Sequence, residues 1–506
     1  MKVKMPLFIL LSLMLVACGK TFTTQTKEKV ELTCHVTDKT EKVCEIGSGK
    51  SGQAAVNAEG YRGVVTIPSS ANDYYIDAIG ERAFSGFSGM TSVVIPPSIT
   101  SIGDRAFMGC DGLTSVVVPS RVKTFGEGVF ASCKQLRTVR FRCPLELVSD
   151  HMFDGCENLQ ALVLPKEVKR VGDYAFKDCR SLKELTLPSG VTTIGIEAFM
   201  GCQSLERMTI PEGVTAIGDG AFDNCSNLVA IHIPASVKHI GAAVFKNCPR
   251  LASITVAPGN KVYDSRNDCN AIVERATGTI LVGCAKTRIP ATVTTIGDGA
   301  FAYTEGLTSL NLPKGMTGIG DLAFAYCPNL RSVSLPSSLT NIGEAPFFGC
   351  NELSSISINS ENPVFDSHNK CDAIIETYTN TLLYGCRNTT IPSVVTKIGR
   401  RAFAGCQGLT SIRLHEGVKV VGEQAFANCP NLKSVSLPSS LSSIGDKAFS
   451  DCRALATLEV RMRRPLVIGA STFRNCGTAR LLVPKGKKGD YLSANVWKDF
   501  ATIEEQ

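Results

Sequence analysis

The chain is poor in the residues that most chemistry needs: 506 residues hold one tryptophan, six histidines and 7% aromatic residues. The histidines, His35, His151, His232, His239, His368 and His415, fall at unrelated places, and none has a nucleophile spaced with it. General-base and nucleophilic constellations therefore do not emerge, and an enzyme is not expected. Cysteine is plentiful, but no C-x-x-C or paired Cys/His spacing occurs, which argues against zinc. The net charge of +7 is spread thinly with no block of Lys and Arg, so nucleic acid is not the expected partner. Beyond the N-terminus no apolar run is long enough to span a bilayer. Two fragments imitate ligand sites and fail on spacing. Gly49-Lys50-Ser51 ends like a P-loop but has Cys44 where the first glycine belongs. Asp264, Asn267 and Asp268, like Asp366, Asn369 and Asp372, lack the EF-hand spacing and its closing Glu, and suit turns instead. No cofactor or metal is expected.

What is present is repetition. Hydrophobic residues make up 44% of the chain, enough to bury a core. Phe84, Phe107, Phe130, Phe153, Phe176, Phe199, Phe222 and Phe245 are each 23 residues apart. Phe301, Phe324 and Phe347 resume the beat, as do Phe403, Phe426, Phe449 and, one residue late, Phe473. Such a period is the mark of a solenoid and displaces the reading as several globular domains. In each unit Leu113-x-x-Val116-x-Val118 alternates as a strand with one buried side, and Pro119 ends it. On the return side Ile102 points inward, Gly103 allows a bend, and Asp104 is expected to cap a single helical turn carrying Ala106 and Phe107. Asp173, Asp219, Asp298, Asp321 and Asp446 repeat that cap, with Glu127, Glu344 and Glu423 as weaker versions. One unit cannot bury its own apolar side, so neighbours supply the cover.

The phrase I-G-x-x-A-F…C-x-x-L-x-x-I-x-I-P resembles that of BspA-like leucine-rich repeats over roughly residues 60–484. The expected fold class is an α/β repeat solenoid: leucine-rich repeats of about 23 residues, a parallel sheet on the concave face, short helical turns opposite, and two β-hairpin insertions. A spacing of ~4.8 Å per strand gives a gently curved body on the order of 70 to 80 Å long. The resemblance implies a surface module that attaches to host extracellular proteins, possible matrix components among them, and to other bacteria.

The two breaks in the beat match each other. Val262-Tyr263-Asp264-Ser265 through Cys284 parallels Val364-Phe365-Asp366-Ser367 through Cys386. Each reads as two strands about a polar turn, Glu274 to Gly278 and Glu376 to Asn380, giving hairpin islands near 256–289 and 358–391. The expected domains are a signal peptide at 1–17, a lipid-anchored tether and cap hairpin at 18–59, the solenoid at 60–480 and a C-terminal cap at 481–506. Lys2 and Lys4 precede the apolar run Leu7 to Val16, and Leu15-Val16-Ala17-Cys18 resembles a bacterial lipobox, making Cys18 the lipidated residue. The protein is then exported and anchored in the outer membrane, touching the membrane only through lipid. Residues 20–29 read as a tether, 30–46 as a hairpin, and 491–500 as a helix in which Trp497 covers the end of the stack.

Cysteines three residues after the repeat phenylalanine, such as Cys110 and Cys133, would point the same way along a stack and are expected as buried thiols. The off-pattern pairs Cys269 with Cys284, Cys371 with Cys386 and Cys34 with Cys44 face each other if their hairpins fold symmetrically, and are candidate disulfides. The outward strand positions carry small hydroxyls, Ser115, Ser309, Ser332 and Ser434 among them, without aromatic platforms. Partner contact is therefore placed on the islands, at Tyr263, Arg266, Arg275, Phe365, His368, Tyr378 and Tyr384. An adhesion or protein-binding scaffold leads, with a structural periplasmic lipoprotein and a glycan-capture accessory as alternatives.

Overall fold

Every 23 residues the chain returns to the same place one rung further on, because each coil leaves apolar side chains and backbone groups that only an adjacent coil can satisfy. The computed structural model describes residues 21–47, 56–57, 60–476 and 478–506. The signal segment and Cys18 lie outside them. Two units result, Met1–Cys248 and Pro249–Gln506, and each is a β-solenoid of stacked parallel-strand coils.

In the first unit one parallel ladder runs through Gly63–Thr66, Met90–Val94, Ser115–Val118, Thr138–Phe141 and Ala161–Leu162. Ser115 lies opposite Thr138 and Val116 opposite Val139. Ser115 and Val117 are exposed while Val116 and Val118 are buried, as the alternation predicts. A second parallel ladder is built from two-residue strands, Leu147–Val148, Arg170–Val171, Thr193–Ile194, Ala216–Ile217 and His239–Ile240.

The expected helical turns are absent from the described coils, and the Asp-x-Ala-Phe segment instead makes a third set of rungs. Arg105, Phe107 and Gly109 donate their backbone N–H groups to the carbonyls of Glu127, Val129 and Ala131 in the next coil, at 2.7, 2.9 and 2.8 Å. Arg105 (φ 54°) and Gly109 (φ 70°) are left-handed, which no α-helix tolerates. The aspartates do cap N–H groups, but of the neighbouring coil. Asp104 Oδ1 accepts from Glu127 at 2.9 Å, Asp173 from Ile196 at 2.8 Å, and in the second unit Asp298 from Asp321 at 2.8 Å.

The phenylalanines of the first unit form one continuous stack, with centroids 5.2 to 5.8 Å apart and planes within 16° of parallel. Beside it the repeat cysteines are buried thiols, as expected. Those of the first unit also hydrogen-bond backward, Cys110 Sγ donating to the Phe84 carbonyl at 3.1 Å and Cys133 to Phe107 at 3.0 Å, and in the second unit Cys476 donates to Phe449 at 2.9 Å. The slot thus selects a small apolar group that can still donate, which explains cysteine better than volume alone.

The N-terminal hairpin forms as expected, Glu31–Asp38 against Val43–Ile46. The segment read as a tether is in part a strand, because Thr21–Gln25 pairs antiparallel with Glu31–Asp38. Phe22 packs 5.6 Å from Tyr74 and gives that strand something to cover. The third strand of this meander then pairs in parallel with Tyr74–Ile79 and opens a separate parallel ladder that continues through Ser101–Ile102 and Thr124–Phe125.

Both islands in the second unit repeat that device. Tyr263–Asp264, Ile272–Glu274 and Thr279–Val282 form an antiparallel meander whose last strand runs parallel to Thr295–Ile296. Phe365–Asp366, Ala373–Glu376 and Thr381–Gly385 do the same ahead of Lys397–Ile398. The predicted hairpins are present, with one more strand in each. Gly283 and Gly385 close the islands because nothing larger fits: a Cβ there would lie 2.1 Å from the Phe301 ring and 2.2 Å from the Phe403 ring. At the C-terminus the expected single helix is two short pieces, Lys488–Leu492 and the 3-10 turn Trp497–Asp499. Thr502–Glu505 then adds a parallel strand to Arg480–Val483. Trp497 is fully buried, lies 5.7 Å from Phe473 and donates its indole N–H to the Leu466 carbonyl at 2.7 Å, closing the stack as anticipated.

Candidate interaction surfaces

Regular coils offer two outward faces. On the first ladder of the second unit, Ser309, Asn311, Ser332, Ser334, Ser355 and Ser357 are exposed. Of these, Asn311, Ser334 and Ser357 line a shallow hollow of about 250 Å³ that also includes Lys314 and Asn359.

The islands depart from this monotony, though not as their aromatic content suggested. Tyr263, Phe365 and Tyr384 are buried, which corrects their placement at a partner surface. Tyr384 takes up the phenylalanine column where the beat is broken. Its ring lies 5.3 Å from Phe347 and its hydroxyl donates to the Phe347 carbonyl at 2.6 Å, the bond a cysteine makes elsewhere. Burial pushes that phenol well above its ordinary value. Arg266 and Arg275 clamp Asp264 at 2.9 and 3.2 Å, and Arg275 Nε also donates to the carbonyls of Asn260 and Tyr263 at 3.0 Å each. These arginines hold the meander together. His368 stays half-exposed, 3.4 Å from Asp366. Tyr378, at the tip of the second island, is 95% exposed. Of the seven candidate contacts, His368 and Tyr378 are thus the freest to meet a partner.

The six off-pattern cysteines are buried thiols. Strand register does not put them directly opposite: Cys34 faces Ile46 and Cys44 faces Val36. The two thiols nonetheless share a hydrogen bond, which raises Cys34, as burial also does, and lowers Cys44 against the effect of its burial. In the first island Asn270 donates its amide to Cys284 Sγ at 3.3 Å, and in the second Cys386 Sγ donates to the Asp372 carbonyl at 3.4 Å. Burial raises all four island thiols, Cys371 to about 11.

A feature that sequence reading missed lies where the second island joins its first two coils. A groove of about 400 Å³ is lined by Glu376, Thr379, Thr381 and Leu383 of the island and by Thr396, Lys397, Gly399, Arg400, Lys419 and Val420 of the coils. Thr379 donates to Glu376 and lies 2.8 Å from the Thr381 hydroxyl. Lys397 and Lys419 are exposed. Arg400 lies 3.3 Å from Glu344 and 3.7 Å from Glu423. Its signal in the sequence was Arg400 itself, a cation at the place where other coils carry the capping aspartate. Among the described residues no group of His, Cys, Asp or Glu could hold a metal ion, and no helix is long and apolar enough to cross a membrane.

The chain is similar to a solved leucine-rich cell surface protein of Faecalibacterium prausnitzii A2-165, at 26% identity over 87% of this chain and 94% of that one, with a TM-score of 0.47. It is also similar to a leucine-rich repeat protein of Bacteroides ovatus ATCC 8483, at 23% identity over 96% and 99%, with a TM-score of 0.42. No curated protein matches. The model of the BspA type leucine-rich repeat region matches residues 64–183, 146–269, 283–380 and 373–498. With the repeat phrase, the parallel ladders and that match in hand, the chain belongs to the BspA type leucine-rich repeat family.

Proposed function

We propose that the protein is a non-enzymatic cell-envelope lipoprotein that serves as an adhesion or protein-binding scaffold toward host extracellular proteins or other cells. Leucine-rich-repeat proteins generally bind protein partners, and the BspA type is typically non-enzymatic. The observation that carries the reading is the second island, which holds Tyr378 almost wholly in solvent at the tip of a turn braced by the stack. A rigid element with an exposed aromatic is how a binding scaffold meets its partner. The lipobox-like segment supports acylation at Cys18 and display from the outer membrane. Surface display is favoured over a periplasmic position. In an oxidising compartment the Cys34–Cys44, Cys269–Cys284 and Cys371–Cys386 pairs are the ones to close as disulfides.

The test is capture of host matrix proteins by the full acylated chain and by a Tyr378→Ala, His368→Ala variant. Loss of capture in the variant supports the reading, and unchanged capture moves the contact elsewhere. Protease treatment of intact cells, beside a Cys18→Ala strain, checks anchoring and display.

A further inference from the structure

The two islands and the coils that follow them are offset by 102 residues, and the groove at the second has a counterpart at every position in the first. Six of its ten lining residues are the same in both copies: Glu, Thr, Thr, Leu, Thr and Gly. The hydrogen-bonded frame is the same too, since Thr277 donates to Glu274 at 2.6 Å and lies 2.9 Å from the Thr279 hydroxyl, as Thr379 does with Glu376 and Thr381. Register is shared as well, with Thr295 opposite Gly318 and Lys397 opposite Val420. Of the four positions that differ, three exchange a neutral or acidic residue for a cation. Lys397 stands for Thr295, Arg400 for Asp298 and Lys419 for Thr317.

We propose that the groove of the second island binds an anionic polysaccharide, a chain of sugars bearing sulfate or carboxylate groups. The frame does not need the cations, because the first island builds it without them. Nor are they used up by neighbours. Arg400 is shared with Glu344 and Glu423, but Lys397 and Lys419 are in no ion pair among the described residues, and Glu376 is occupied with Thr379. Their spacing is fixed by adjacent coils, ~4.8 Å per rung, so two ammonium groups and a guanidinium line one track. Sugar rather than peptide suits the surroundings. The ladder's backbone groups are already consumed between coils, leaving a peptide backbone nothing to pair with, whereas Thr379, Thr396 and the ammonium groups match hydroxyls and acidic groups. This reading is independent of protein capture at the Tyr378 tip.

The test measures binding of the full chain to dextran sulfate and hyaluronan, with neutral dextran and poly-glutamate as controls, across a salt series. Salt-sensitive binding to one of the two anionic polysaccharides is expected, and which one responds separates sulfate from carboxylate. Lys397→Thr with Lys419→Thr, residues the first island already tolerates, should weaken it roughly tenfold or more at an unchanged unfolding midpoint. In that background Thr295→Lys with Asp298→Arg and Thr317→Lys should restore binding at the first island. Undiminished binding by the double variant, equal binding of neutral dextran, or preference for poly-glutamate would each overturn the proposal.

Discussion

The first and second islands share one backbone plan and spend their side chains differently. In the first, Asp264 is nearly buried between Arg266 and Arg275, and these ion pairs fasten the meander. In the second, the matching Asp366 is half-exposed beside His368, and the job of anchoring falls to Tyr384, which plugs the phenylalanine column. The second island carries its exposed tyrosine outward at Tyr378, and the coils after it carry the cations Lys397, Arg400 and Lys419. The same scaffold is thus pinned by ion pairs in one copy and by a buried ring in the other.

That contrast can be broken most sharply at the plug. Tyr384→Ala removes a buried ring and leaves the Phe347 carbonyl short of a donor, and should cost about 3 to 5 kcal/mol. Val282→Ala at the matching place in the first island should cost no more than about 1.5 kcal/mol. Urea unfolding of the full chain measures both, and equal losses would erase the distinction. Next in size is the clamp. Asp264→Ala leaves two arginines without their shared acceptor and should cost roughly 1 to 3 kcal/mol, against about 0.5 kcal/mol or less for Asp366→Ala.

In the reduced chain, alkali should then separate the islands in a graded way. The thiols of both are raised by burial, Cys371 from 9.0 to about 11. Above pH 9 the unfolded chain loses thiol protons that the folded chain keeps, so stability falls as pH rises through the interval from 9 to about 11. The second island also holds the raised phenol of Tyr384, whose ordinary value is 10.0, and should lose stability further above pH 10. Hydrogen exchange followed across that range should show the second island opening first, and simultaneous opening would count against the role given to Tyr384. The smallest effect is expected at the tip. Tyr378→Ala should leave the unfolding midpoint within about 0.5 kcal/mol of the parent, so any binding defect it causes belongs to the surface.

Much of this was legible from residues alone. The 23-residue beat of phenylalanine gave the coil, the Ser115–Val118 alternation gave the inward and outward sides, and the matched breaks gave two hairpins. What stayed hidden were partners one coil away. Asp104 looked like the cap of its own turn, but the N–H group it accepts from belongs to Glu127, 23 residues on, and spacing within one unit cannot reveal that. Thr21–Gln25 looked like a tether because five polar-rich residues make a strand only when Glu31–Asp38 is beside them. Tyr263, Phe365 and Tyr384 looked exposed because aromatics in an irregular segment suggest a contact. Asking instead what fills the phenylalanine column between Phe347 and Phe403 would have placed Tyr384 inside.

The three antiparallel meanders, one at the N-terminus and two within the second unit, all hand over to a parallel strand in the same manner. Each therefore behaves as a starter, a piece that begins a run of coils without requiring a coil before it on that ladder. A gene copying such a starter together with its following turns would add a finished segment whose internal contacts are already complete, so molecules of this design can grow by whole paragraphs rather than by single words.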